Sequence, residues 1–180
     1  MTVREAIKRA DEVAPNALSN DLKCQFLNEA EGAVQTEVLL MSPYETVKYM
    51  LSGTYEGNVC YPDARTLRTE TPHGFAGAGT ITIGTDKVRG YVTDACTFRA
   101  YNSAFTESGW APATVEFDGG DVELIAMPPH DKLYWHYVAA MIHFANADYD
   151  RYQNTLALYN TSLGEFMRWY AMNYRPADNG

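Results

Sequence analysis

Apolar positions along this chain follow two rhythms, one of them helical and one of them stranded. Near the C-terminus Tyr152, Leu156, Tyr159, Leu163, Phe166 and Tyr170 recur at alternating steps of four and three, which places them on one face of an α-helix. The stretch before it opens at Pro128-Pro129-His130-Asp131, closes at Asn146-Ala147-Asp148 and carries a matching stripe of Leu133, Tyr137, Met141, Phe144 and Ala145. A short polar turn between two such segments predicts an antiparallel helix hairpin. At the other end Thr2 is positioned to cap a first helix, with Glu5 at the capping-box position and Val3, Ile7 and Ala10 along one side. Pro15-Asn16 interrupts it, and Ser19 or Asn20 caps a second helix in which Leu22, Phe26, Leu27, Ala30, Val34 and Val38 run on to about Leu40. Gly32 lies inside that helix, where glycine costs about 1 kcal/mol relative to alanine; it is either a tolerated weakness or a point of close approach by a neighbouring helix. Ser42-Pro43-Tyr44-Glu45 predicts a further short helix ending near Leu51.

From Ser52 to Gly120 the rhythm changes. Gly, Thr and β-branched residues dominate, and Thr80-Ile81-Thr82-Ile83 alternates as a half-buried strand does. Further strands are expected at 88–93, 96–101, 113–117 and 122–126, the last two joined as a hairpin across Asp118-Gly119-Gly120-Asp121. The expected fold is a mainly α helical bundle of antiparallel helices with a β-rich insertion between the second and third main helices, α+β overall. Residues 1–51 supply the N-terminal helices, 52–127 the insertion, and 128–180 the C-terminal hairpin and a tail. No internal repeat accounts for the pattern.

Charge narrows the function. Against 14 Lys and Arg stand 23 Asp and Glu, a formal net charge of -9, and each third of the chain is acidic by the same margin, so counting along the chain finds no basic face of the kind that grips a nucleic-acid duplex. Cys24, Cys60 and Cys96 are few, odd in number and far apart, which suggests reduced thiols rather than a disulfide framework or a cysteine zinc site. The charged first turns lack the apolar core of a signal peptide, and no apolar run approaches bilayer length. The expectation is a soluble intracellular protein with no membrane partner.

No candidate chemistry rises above composition. His130, His136 and His143 lie on or before one helix, but His136 and His143 are seven apart, too far for the i, i+4 grip that holds zinc, so no metal is expected. His73, Asp94 and Ser103 have the residue types of a triad without any nucleophile turn. Gly74-Phe75-Ala76-Gly77-Ala78-Gly79 has a phosphate loop's glycines, yet a strand follows it where a helix N-terminus would be needed. Asn160-Thr161-Ser162 fits the glycosylation pattern in mid-helix, by chance. Arg168 and Trp169 fall off the seam of their helix and read as interface anchors, or else Trp169 covers the first helix of its own subunit.

Two blocks carry a more specific likeness. Thr2-Val3-Arg4-Glu5-Ala6-Ile7, Ala10-Asp11, Pro15-Asn16, Lys23, Phe26-Leu27 and Glu31-Gly32 form one; Pro128-Pro129-His130-Asp131-Lys132-Leu133-Tyr134, Asn146, Arg151-Tyr152-Gln153-Asn154, Tyr159-Asn160, Phe166-Met167-Arg168-Trp169-Tyr170 and Arg175-Pro176 form the other. Together they resemble the head-tail connector (head-completion adaptor) proteins of tailed phages and prophages of Gram-positive bacteria. The likeness covers roughly residues 2–40 and 121–176; family members join the two blocks by a shorter segment than residues 52–120. It implies a structural subunit with no catalysis and no cofactor, forming a ring of about a dozen copies below the portal protein and offering a docking surface to a stopper or tail-completion protein. Such subunits can stay monomeric until the portal templates them. The site would be the host cytoplasm during assembly and then the virion neck, and Arg168, Trp169, Arg175 and Pro176 are the candidate interface residues. The contrasting reading is a small enzyme or ligand-binding module carried by the β-rich segment.

Overall fold

The structure, a computed structural model, describes residues 1–40 and 48–174. Four α-helices, α1 (Val3–Val13), α2 (Asn20–Ala33), α3 (Lys132–Ala145) and α4 (Tyr149–Tyr174), and six strands, β1 (Ser52–Asp63), β2 (Thr66–Thr69), β3 (Ala78–Ile83), β4 (Asp86–Asp94), β5 (Thr97–Ala100) and β6 (Ser108–Asp118), account for most of them. The chain divides into two compact units, Met1–Val47 with Glu123–Gly180, and Lys48–Val122. No helix among the described residues is long and apolar enough to cross a membrane.

The helical unit starts as its sequence dictates. Thr2 Oγ1 accepts the Glu5 N–H at 3.3 Å while Glu5 Oε2 accepts the Thr2 N–H at 2.9 Å, a reciprocal cap on α1. The Ser19 hydroxyl caps α2 by accepting the Leu22 N–H at 3.3 Å. After Ala33 the helix widens into a π-helical turn, Val34–Val38. α3 is the centre of the unit and packs against α1, α2 and α4. That position follows from a sequence with almost no charge after Lys132, and it leaves Leu133, Tyr134, Val138, Ala139, Ala140 and Ile142 wholly buried; of the expected stripe only Leu133 is among them, with Tyr137 and Met141 half-buried and Phe144 and Ala145 exposed. The expected seam of α4 does meet α3: Tyr159 packs on Tyr137 with ring centroids 4.8 Å apart, Tyr152 on Phe144 at 5.2 Å, and Leu163 and Phe166 are buried. Between the helices the Asp148 N–H bonds to the His143 carbonyl and the Ala147 N–H to the Phe144 carbonyl, the double bond of a Schellman turn, with Ala147 at φ 57°.

The expectation of a mainly helical bundle with a β-rich insertion is overturned by the second unit. Strand makes up 29 % of the described residues against 42 % helix, and the six strands close into an antiparallel barrel in the order β1-β2-β5-β4-β3-β6. The physical reason lies in the alternation. Tyr55, Val59, Leu67, Ile81, Val88, Phe98, Val115 and Phe117 all point inward and form a hydrophobic core of their own, and closure removes the unpaired edges that an open sheet would leave. Strands β1 and β2 escape the sequence reading because Gly53, Gly57 and Pro62 break the pattern of one and the other is only four residues long. Bulges at Cys60/Asp63, Val59/Tyr61 and Val92/Asp94 supply the bends that a small barrel requires.

Two further expectations change. Asp118-Gly119-Gly120-Asp121 is no hairpin, since 122–126 forms no strand; Glu123 instead makes an isolated bridge with Thr2, and the Leu124 N–H bonds to the Met1 carbonyl at 3.0 Å. A Cβ on Gly119 would lie 2.2 Å from the Met50 carbonyl oxygen, so this glycine permits close passage of two backbones rather than a tight reverse turn. At Gly32 a Cβ would meet nothing within 4 Å, which leaves the tolerated weakness as the reading that stands. The short helix expected from Ser42 lies outside the described residues over 41–47, and 48–50 is irregular.

Candidate functional site

The candidate interface residues fall at the far end of α4. Arg168 is exposed and makes no ion pair among the described residues. Trp169 is half-buried and does not turn away from the seam as expected: its ring stacks on Phe166 at 5.9 Å and 19°, and lies 5.2 Å from His130 and 5.5 Å from Tyr174. The reason is the drift of the 3.6-residue helix against a seven-residue pattern, which brings residue 169 back toward α3's entry. Arg175 and Pro176 lie outside the described residues. Among the described residues Arg168 therefore stands as an unpaired cation beside an aromatic cluster of Phe166, Trp169, Tyr170 and Tyr174.

Next to this cluster the π-helical turn and the end of α4 enclose an apolar groove of about 600 Å³, lined by Glu37, Val38, Leu39, Leu40, Met167, Tyr170, Ala171 and Tyr174. Leu40 stands at φ 54°, with its side chain 82 % exposed, and Met172 nearby on α4 is 86 % exposed. Among the described residues that line the groove Glu37 is the one charged side chain, and Tyr159 lies close enough for it to matter: burial first, and the Glu37 carboxylate second, push the phenol up to about 12. Nothing in the sequence pattern pointed to the groove, because it depends on the π-helical turn redirecting Leu39 and Leu40.

Elsewhere in the helical unit the polar groups are spent on structure. Glu31, fully buried on α2, accepts the Ile125 N–H at 3.0 Å and receives a short hydrogen bond from the Tyr134 hydroxyl, which itself accepts the Ala126 N–H at 2.9 Å. Lys23, also buried, is held by Asp11 at 2.8 Å. The three histidines of the α3 region have separate surroundings. His136 Nδ1 meets the Ser162 hydroxyl at 3.1 Å, and since that hydroxyl donates to the Leu158 carbonyl, the imidazole is the donor; burial holds its pKa below the ordinary histidine value. His130 is sandwiched near Phe166 and Trp169, and His143 is buried. Among the described residues no group of three His, Cys, Asp or Glu is placed to hold a metal ion.

In the barrel His73, Asp94 and Ser103 do not make a relay. His73 Nδ1 accepts the Phe75 N–H at 2.9 Å, so the ring proton sits on Nε2, the opposite tautomer from the one a serine hydrolase uses. The Asp94 carboxylate accepts the Cys96 N–H at 2.9 Å and shapes the β4–β5 turn, while Ser103 is exposed. Burial holds the His73 pKa down, and its ring stacks on Phe75, which stacks on Phe117; it is a piece of the barrel's end packing. The glycine-rich loop before β3 is equally structural: Gly77 takes φ 74°, and a Cβ there would fall 1.9 Å from the Lys48 carbonyl oxygen. A scan of the chain against protein-family models matches none, and a search of curated proteins matches none either.

Proposed function

We propose that this chain is a structural head-tail connector subunit of a tailed phage or prophage, which assembles as a ring below the portal and links the DNA-filled head to a stopper or tail protein. One observation carries the reading. The two sequence blocks that resemble connectors, 2–40 and 121–176, are separated by about eighty residues, yet they coincide with the two segments that fold together as the helical unit, Met1–Val47 with Glu123–Gly180. Their union is specific: Glu31 from the first block is bonded to Ile125 and Tyr134 of the second, and Thr2 bridges to Glu123. The intervening segment, which carries no likeness, folds around a core of its own. A family frame interrupted by an added domain has this form.

In this reading the end of α4 is the docking surface, with Arg168 and the aromatic cluster around Trp169 offered to the portal or the stopper, and the subunit acts in the host cytoplasm and then in the virion neck. The roles are those of an assembly protein: a rigid frame, an anchor residue and no turnover. The test is to ask whether purified protein joins portal-bearing, DNA-filled heads. Arg168→Glu, an exposed change that leaves the packing untouched, is expected to weaken joining, as is removal of residues 175–180. Wild-type protein that fails to join such heads rejects the connector function. Full joining by both variants removes this end of α4 from the docking surface.

A further inference from the structure

Every Lys and Arg within the barrel strands lies on β2, β5 or β4. On the outer side of three adjacent strands stand Arg68 of β2, Arg99 of β5, and Arg89 and Lys87 of β4, all exposed, and none of them forms an ion pair among the described residues. Two aromatic side chains are set among them. Tyr91 lies directly opposite Arg99 in the β4–β5 register, the Tyr101 N–H bonds to the Arg89 carbonyl at 3.1 Å, and the two tyrosine rings are 5.6 Å apart. Asp94, at the end of β4, and Asp63, at the end of β1 before the turn into β2, are occupied by backbone: Asp63 accepts from the Arg65 N–H at 2.7 Å and Asp94 from the Cys96 N–H at 2.9 Å. They temper this face without pairing with it.

β1 and β6 are the reverse. Neither contains a Lys or Arg. Their outer side carries Glu56 opposite Thr114 and Glu116 opposite Thr54 and Trp110, 54 % exposed; Glu70, which accepts from the Asn58 amide at 2.7 Å, follows β2 two residues after Arg68 and lies between the two faces. In the closed order β1-β2-β5-β4-β3-β6 the strand across the barrel from β1 is β4, and the strand across from β6 is β5. Arg89 and Arg99 therefore stand on the opposite side of the barrel from Glu56 and Glu116, whereas Lys87, one strand from Glu116 across Thr82, lines one pocket with it and belongs to neither pole.

We propose that these poles are the two halves of a contact between copies of this chain, the β4–β5 face of one barrel seating on the β1–β6 face of the next. The inference deepens the connector reading, on which it rests for the closed ring. Two different patches on opposite sides make a heterologous contact, which propagates from subunit to subunit and closes as a ring, whereas a two-fold dimer would need one self-complementary patch. The composition suits a protein interface, since arginine, tyrosine and tryptophan are the residues that anchor such contacts, and a guanidinium set over the exposed Trp110 ring gains cation–π attraction. A single nucleic-acid strand could use the same cations and stack on the tyrosines. The matching acidic pole has no purpose in that case, so the second copy is favoured.

Charge reversal tests it. One variant carries Arg89→Glu with Arg99→Glu, and the other carries Glu56→Arg with Glu116→Arg; all four positions are exposed, and circular dichroism checks the fold. Sedimentation velocity over a concentration series at about 100 mM salt, where the Debye length is about 10 Å, is expected to show reversible self-association of the wild type, at least about tenfold weaker in each variant alone. An equal mixture of the two restores it, because each reversed pole then meets a complementary one. A wild type that stays monomeric throughout, variants that associate like the wild type, or a mixture that does not recover would each overturn the contact. Salt-sensitive binding of a fluorescein-labelled oligothymidine that is lost in the Arg89→Glu, Arg99→Glu variant would assign the face to nucleic acid and overturn it as well. Head joining separates the two ideas: intact joining with no self-association rejects this contact alone, and failed joining by a self-associating wild type rejects the connector reading alone.

Discussion

Tyr134→Phe removes one oxygen atom from the centre of the helical unit, and its cost can be worked from the neighbours of that atom. Tyr134, Glu31 and Ala126 are all fully buried. The hydroxyl accepts the Ala126 N–H and donates to the Glu31 carboxyl group, so its loss strands a buried amide donor and takes a donor from a buried acid. Leaving a buried polar group unsatisfied costs about 1–3 kcal/mol, and two affected groups bring the expected loss to about 2–4 kcal/mol. Tyr137→Phe is the matched control: its hydroxyl also bonds to a glutamate, Glu29, at 2.8 Å, but in an exposed setting where water replaces the partner, and about 1 kcal/mol or less is expected. Urea unfolding followed by far-UV circular dichroism reads the difference as a shift of midpoint at constant slope. If Tyr134→Phe shifted the midpoint no further than Tyr137→Phe, the buried carboxyl group would not be the linchpin between α2 and α3 that its bonds describe, and the reasoning would fall.

Phe166→Ala, at the buried centre of the α4 seam, is expected to cost about 3–5 kcal/mol in the same assay, and Leu156→Ala, half-buried, distinctly less. Two changes should stabilise: Ala147→Gly, by relieving a left-handed alanine at the Schellman position, and Gly32→Ala, by filling open space on a helix, each by about 1 kcal/mol. Burial depresses the pKa of His136 from its ordinary 6.5, so the unfolded chain takes up that proton first. Stability should therefore fall as pH drops below about 6.5, and His136→Gln should flatten the slope between pH 7 and 5.

The helices were legible because their signals are local. A capping box at Thr2 and Glu5, the serine cap at Ser19, and the four-three spacing from Tyr152 to Tyr170 each act within a few residues, and each appears in the fold where its spacing places it. The barrel was not legible because its organising fact is closure, a pairing between β1 and β6 across about fifty residues that no window of sequence contains. Trp169 was misplaced for a subtler reason: a seam written as strict fours and threes ignores helical drift, and His130, which receives the ring, lies almost forty residues away. The expected hairpin at Asp118-Gly119-Gly120-Asp121 failed because the same two glycines serve equally for a tight turn and for close backbone passage, and only the Met50 carbonyl beside Gly119 distinguishes them.

Counting charge along the chain hid the feature with the clearest consequence. Residues 48–122 hold six basic and nine acidic side chains, which averages to a mildly acidic segment, yet alternate residues of a strand face opposite ways and opposite strands of a barrel face opposite partners. The average and the poles act over different distances. A formal charge of -9 on each copy repels across the whole subunit and is weakened once the Debye length falls to about 10 Å near 0.1 M salt. Apposed Arg and Glu side chains a few ångströms apart, partly shielded from water, are screened less until the salt is several times higher. Self-association through the poles should therefore pass through a maximum with ionic strength, rising as the global repulsion is screened and falling as the contacts themselves weaken. A purely apolar contact would strengthen steadily with salt, and binding of a polyanion would weaken steadily from the lowest salt upward; sedimentation across the series distinguishes the three by shape alone, and either monotonic curve would remove the poles as the driving contact.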